Sequence, residues 1–145
     1  MLRPRALIVL LSLTLAACGE SPLEPPSGLP AQLSVSILRD LPIEPPIPTV
    51  AASADSVVVE YISGFTGCDD YDAAAGFRAG TLVVTVIATE TRRACLAVVG
   101  YATYHAVVHR APSGRYPVVV ETQYVAANGI RGKPREVVRK LVTLP

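Results

Sequence analysis

The stretch YATYHAVVHR, residues 101–110, changes character at every step: Ala102, Tyr104, Ala106 and Val108 fall on one side of an extended chain, with Thr103, His105 and His109 on the other. A two-residue period of this kind fits a strand with one face buried, and no helix can reproduce it. It recurs in RYPVVVETQY, residues 115–124, where Tyr116, Val118, Val120 and Tyr124 oppose Glu121 and Gln123. DSVVVEYIS (55–63) is Val-rich, and TLVVTVIATET (81–91) is almost wholly apolar or Thr, as a central strand requires. Between the last two alternating segments stands APSG (111–114), whose Pro and Gly predict a tight turn and hence a hairpin. A loop with Asn128-Gly129 and Pro134 leads into REVVRKLVTL (135–144), which reads as a closing strand. A short amphipathic helix is the alternative there, because Val137, Val138 and Leu141 also suit helical spacing.

The chain has 145 residues, half of them hydrophobic, with no Trp and two Phe. Its abundance of Val, Ala and Thr suits pleated surfaces better than a helical bundle. Six or seven short strands in the last 90 or so residues, punctuated by Gly and Pro, predict one all-β domain. The expected architecture is an antiparallel two-sheet sandwich over residues 53–145. Thirteen Lys and Arg stand against twelve Asp and Glu, so no strong field favours nucleic acid as a partner.

Upstream, the composition changes twice. Arg3 and Arg5 precede a twelve-residue apolar run, Ala6 to Ala17, too short for a hydrocarbon core that needs about 20 residues. This reads as an export signal. From residue 19 to 50 the chain carries eight of its thirteen prolines, a composition that excludes a continuous helix and reads as a tether. At about 3.1 Å per residue such a spacer could hold a domain up to about 100 Å from its attachment point. Within it, AQLSVSILRDL (31–41) alternates Leu33, Val35 and Ile37 with Gln32, Ser34 and Ser36, and reads as a candidate first strand.

Leu15-Ala16-Ala17-Cys18, placed directly after the apolar run, resembles the lipobox of bacterial lipoprotein signal peptides. The resemblance implies cleavage before Cys18, with acylation of its thiol and of the new N-terminus. It therefore implies residues 1–17 as signal peptide, 18–52 as lipidated tether, and the membrane as a partner held through lipid on Cys18. Two or more acyl chains anchor stably where one does so only marginally. Gly19, rather than Asp, implies the outer membrane as the address in two-membraned bacteria. Acylation of Cys18 would leave Cys68 and Cys95, and export to an oxidising compartment favours their pairing; two buried reduced thiols are the other reading.

A second resemblance covers residues 57–125. Gly67-Cys68, the Thr/Val strand Thr81 to Thr89, Cys95 after a charged turn, and Gly114 with Tyr116 and Val118 are similar to small secreted domains of many bacterial lipoproteins. This implies an immunoglobulin-like sandwich with a Cys68–Cys95 bridge, and it implies no activity.

Candidate chemistry is sparse. CDDYD places Asp69, Asp70 and Asp72 within four residues, a weak candidate set of oxygen ligands for Ca²⁺ without the spacing of an EF-hand; a solvated acidic loop is the plainer reading. His105 and His109, four apart, would lie about 13 Å apart on a strand, too far for one metal. No nucleophile elbow, phosphate-binding glycine loop or zinc-protease motif occurs, and no cofactor is expected. Among the tyrosines, Tyr104, Tyr116 and Tyr124 are expected on inner faces, which leaves Tyr61, Tyr71 and Tyr101 as candidate surface anchors; core filling in a chain without Trp is the plainer reading. Arg131, Lys133, Arg135, Arg139 and Lys140 make the C-terminus locally basic, which suits a face toward lipid headgroups or an acidic partner and equally a charge-blunted edge strand. The functional expectation is a non-catalytic, lipid-anchored envelope protein whose sandwich engages a protein or glycan or adds to the surface coat. The alternative is a small periplasmic ligand- or Ca²⁺-binding module centred on residues 68–72.

Overall fold

The structure, a computed structural model, describes residues 25–40, 46–91 and 99–145. Cys18, Cys95 and the signal-like segment lie outside these residues. Eight strands form: β1 (Ala31–Leu38), β2 (Thr49–Ser53), β3 (Ser56–Thr66), β4 (Asp69–Arg78), β5 (Thr81–Glu90), β6 (Val99–Val108), β7 (Gly114–Val125) and β8 (Arg135–Leu144). They make two four-stranded sheets, ordered β1-β6-β3-β2 and β4-β5-β7-β8. The result is an all-β two-sheet sandwich, immunoglobulin-like in its layered architecture, with eight strands where six or seven were expected. One pair, β5 with β7, is parallel, so the second sheet is mixed.

That parallel pair exposes the main topological correction. APSG does not close a hairpin: β6 pairs with β1 and β3, while β7 pairs with β5 and β8 in the opposite sheet. Left-handed backbone at Arg110 (φ 56°) and the wide φ of 133° at Gly114 redirect the chain. Ala111 N–H donates to Asp55 O at 2.8 Å, and the Tyr116 hydroxyl donates to Pro112 O at 2.9 Å, fixing the crossing. The apolar faces of β6 and β7 thus meet across the core instead of lying side by side.

Two strands fall where the sequence promised none. β2 begins at the very end of the Pro-rich stretch and is joined to β3 by a two-residue turn at Ala54-Asp55, with Ala54 at φ 49°. β4 begins in the acidic stretch. Asp, Ala and Gly form strands poorly on their own. Here ten consecutive residues are held in register by β5, Asp69 opposite Glu90 through Arg78 opposite Thr81. The β4–β5 turn, Ala79-Gly80, has positive φ at both positions (47° and 76°), the geometry whose twist matches paired strands. The candidate strand at 31–41 forms as β1, and 135–144 forms a strand, not a helix.

The core lies between the sheets: Val50, Val57, Val59, Ala106 and Val108 from one, Leu82, Val84, Val118, Val120 and Leu144 from the other, all buried. The sheet edges are drawn together as well. Leu29 N–H donates to Ala75 O at 3.1 Å, so the chain entering β1 seals against β4. Gly76 is required there, because a Cβ would collide with the Ser27 carbonyl oxygen. Pro26, Leu29 and the β1 residues, all within the segment read as tether, are therefore part of the sandwich, and Pro26 is buried.

On the outer face of the mixed sheet, an irregularity between Val120 and Glu121 leaves one extra residue in β8. The shift lets Glu136 and Arg139, an odd number of positions apart, share a face and form a two-pronged ion pair (2.7 and 3.2 Å). Beneath it, Thr85 donates to the buried Glu121 carboxylate at 2.9 Å.

Candidate ligand cleft

Alternation along β3 carries Val57, Val59 and Tyr61 inward, and Tyr61 stands opposite Tyr104 of β6. Their rings stack at 5.2 Å and 13°. Tyr71, near the start of β4, lies 5.5 Å from Tyr104 at a tilt of 59°, and 5.4 Å from Phe65 in a near-parallel stack. Each such pair contributes about 0.5–1.5 kcal/mol beyond area burial. Tyr61, Phe65 and Tyr104 stand on the first sheet with Ser63 between Tyr61 and Phe65, and the mixed sheet faces them with Tyr71 on its edge strand and the short side chains of Ala88 and Thr122. Large rings opposite short side chains do not interdigitate. They leave a cleft of about 430 Å³ at this end of the sandwich, with Tyr124 at its mouth.

Hydrogen bonds hold the aromatic wall. The Tyr104 hydroxyl donates to Gly64 O at 2.7 Å. The Tyr71 hydroxyl accepts from Thr66 N–H at 3.0 Å and donates to Thr66 O at 3.3 Å, bracing the β3–β4 turn. Cys68, in that turn, is disulfide-bonded. Its N–H donates to Thr66 Oγ1, and its carbonyl accepts from both N–H (3.0 Å) and Oγ1 (2.6 Å) of Thr91. The Tyr61 hydroxyl is different: it is buried and has no hydrogen-bond partner among the described residues, although Tyr61 lines the cleft.

Burial, and next the neighbouring Tyr71, push the Tyr61 hydroxyl well above its ordinary value. Burial, then a hydrogen bond to Tyr71, do the same for Tyr104. Both stay protonated at any physiological pH, so neither can act as a base. The rim is acidic. Asp69 lines the cleft opposite Glu90 of the neighbouring strand, and burial, Glu90 and Asp70 together raise its carboxyl above the ordinary 3.8. Desolvation, a hydrogen bond to Glu90 and the nearby carboxylates also raise Tyr124. No Lys, Arg or His is among the described residues lining the cleft.

The structure separates residues that the sequence grouped. Asp69, Asp70 and Asp72 stand on a strand, not in a loop, so Asp69 faces the cleft while Asp70 and Asp72 are exposed on the other face. Among the described residues no three His, Cys, Asp or Glu are arranged to hold a metal ion. His105 and His109 sit half-buried on the outer face of the first sheet, away from the cleft; His109 Nε2 is 3.4 Å from Gln32 Oε1. Tyr61 and Tyr71, the candidate surface anchors, belong to the aromatic wall, as core filling would place them, whereas Tyr124, expected inside, is 47% exposed. The alternation Val57, Val59, Tyr61 carried the signal for Tyr61. Nothing comparable marked Tyr71, whose strand was unrecognised.

Comparison with known proteins finds no matching family model, no matching curated protein and no matching solved structure, so the site must be interpreted from its own geometry.

Proposed function

We propose that the chain is a non-catalytic, lipid-anchored envelope protein whose sandwich binds a ligand or partner through the aromatic cleft. The cleft carries the binding role: at about 430 Å³ it falls within the size range of small-molecule sites, with apolar walls and few polar groups. The lipobox-like LAAC at residues 15–18 supports the anchor, and the disulfide at Cys68 supports an oxidising address. Cys95 is the partner we assign to Cys68, because Thr91, four residues before it, is bound to the Cys68 carbonyl.

The entry of the chain supports an orientation. Leu29 docks beside Ala75, and Ala31 of β1 is opposite Val108, the last residue of β6. Both lie toward the end of the sandwich remote from the cleft. Only seven steps of chain separate Cys18 from Pro25, about 25 Å at full extension. In this reading a lipid on Cys18 holds the closed end close to the membrane, and the cleft points away from it.

Two experiments test the proposal. Mass spectrometry of the mature protein should find acyl groups on Cys18, and Cys18→Ala should leave the precursor uncleaved; a processed, lipid-free N-terminus would remove the anchor. A photo-crosslinker at Tyr124, at the cleft mouth, should yield specific adducts in cells, while one at the exposed Arg115 of the closed end should not. Equal labelling from both positions would remove the cleft as the binding site.

A further inference from the structure

The cleft's chemistry is one-sided. Its walls are the rings of Tyr61, Phe65, Tyr71, Tyr104 and Tyr124, and the ionisable group lining it is Asp69. Asp69 stands directly across the β4–β5 ladder from Glu90, a pairing of like charges that destabilises a sheet unless something compensates. The hydroxyls of Tyr71 and Tyr104 are committed to Thr66 and to Gly64 O. That of Tyr61 is buried without a partner among the described residues, which is costly for a polar group. The cleft therefore combines aromatic faces and a carboxylate rim, with no described basic side chain lining it.

We propose that the cleft takes a small organic molecule bearing a protonated amine. The ammonium would lie against the ring faces, which attract a cation through their quadrupole. Its N–H groups would donate to Asp69, neutralising the opposed carboxylates. A bare metal ion fits poorly, since Ca²⁺ seeks six to eight oxygens and most of this wall is carbon. A neutral glycan fits poorly as well, because it needs a balanced array of donors and acceptors and two of the ring hydroxyls are already engaged. The proposal rests on the cleft being the binding site.

The test is a titration of the full chain, purified in nonionic detergent, followed by tyrosine emission, which no Trp obscures. Benzylamine at pH 7 should give a saturable change. Benzyl alcohol, the same size but neutral, should bind at least about tenfold more weakly, and benzyltrimethylammonium, which has charge but no N–H, should fall between. Asp69→Asn should weaken benzylamine by about tenfold and leave benzyl alcohol unchanged. Tyr61→Phe keeps the ring and removes only a hydroxyl sealed from the cleft, and should leave benzylamine affinity unchanged with the melting temperature unchanged or higher. Equal affinity for amine and alcohol, or indifference to Asp69→Asn, would overturn the proposal. Binding of maltotriose but not of benzylamine would overturn the ligand class and keep the cleft. No response to any probe, with no adduct from position 124, would remove the cleft reading itself.

Discussion

Where β6 leaves for β7, the sandwich is closed by Val57, Leu82, Val108, Ala111, Val118 and Leu144, all buried, with Tyr116 tied to Pro112; at the opposite end Tyr61, Phe65 and Tyr104 of one sheet and Tyr71 on the edge of the other stand around a gap in which the facing side chains, Ala88 and Thr122, are short. Branched aliphatic chains of similar size interlock across two sheets and exclude water. Rings facing short side chains do not, and the mismatch makes a cleft. One end is stabilised by packing. The other is held by stacked rings, hydrogen bonds to the β3–β4 turn and a disulfide, which keep it open without letting it collapse.

The largest effects should separate these two modes of support. Cys68→Ser removes the covalent tie at the open end; for the 28-residue loop expected with Cys95, the loss is roughly 3.5 kcal/mol in the chain-entropy model. Reductant should reproduce that loss in the wild type and do nothing further to the variant, as read from urea unfolding midpoints. An insensitive wild type would break the contrast. At the closed end, Leu82→Ala leaves a cavity with no access to water and should cost about 3 kcal/mol. Reductant should add to that loss in full, because the two sites are far apart and independent.

Hydroxyl deletions sharpen the comparison within the open end. Tyr104→Phe strips a 2.7 Å hydrogen bond from Gly64 O and should cost about 1–2 kcal/mol. Tyr61→Phe removes a hydroxyl that had no partner among the described residues, and should be neutral or stabilising by up to about 1 kcal/mol. The same chemical change on two stacked rings thus has opposite expected signs. Thermal melts of both variants decide it, and equal losses would show that the Tyr61 hydroxyl is satisfied after all.

How legible these regions were in the sequence follows from what stabilises each. The closed end rests on β5, β6 and β7, whose inward residues alternate cleanly or run as Val/Thr, and periodicity alone places them. The open end depends on β4, a strand that exists because β5 templates it. Asp69-Asp70-Tyr71-Asp72 has no intrinsic preference for that state, so residues that look like a metal loop become a ladder with alternating faces. The false hairpin at APSG has a related cause. A Pro-Gly turn between two alternating strands is locally the same whether the strands pair or cross to opposite sheets. The choice is made by partners far away in sequence, β3 and β5. Edge closure by Leu29 on Ala75 was hidden for the same reason, inside a stretch whose prolines suggested only a spacer.

Smaller effects probe local strain at the closed end, where Ala79 occupies the left-handed region at φ 47° next to Gly80. Asn tolerates that conformation better than Ala, and Asn-Gly is the preferred pair for this turn. Ala79→Asn should therefore stabilise by about 0.5–1 kcal/mol, seen as a higher melting temperature. No gain would mean that the turn strain is already relieved by the β4–β5 ladder.

The corresponding liability at the open end is electrostatic, and it is the smallest effect and the most informative. The folded-state pKa of Asp69 lies above its ordinary 3.8, so ionising this group opposes folding. The sign follows directly: this unfavourable contribution is fully present once pH exceeds the raised value, and it disappears as pH falls to 3.8 and below. Asp69→Asn should accordingly be more stable than wild type at pH 7, by a few tenths of a kcal/mol for a partly exposed group, and the advantage should shrink on acidification. A bound ammonium reverses the balance, because the ionised carboxylate then has a counter-charge. With saturating benzylamine the wild type should gain melting temperature at pH 7 while Asp69→Asn gains little, and the wild-type gain should fade as Asp69 is protonated. An open end whose stability ignores both pH and amine would be a packing defect, not a site; one that responds to both in this way is a cleft kept under electrostatic strain until its ligand arrives.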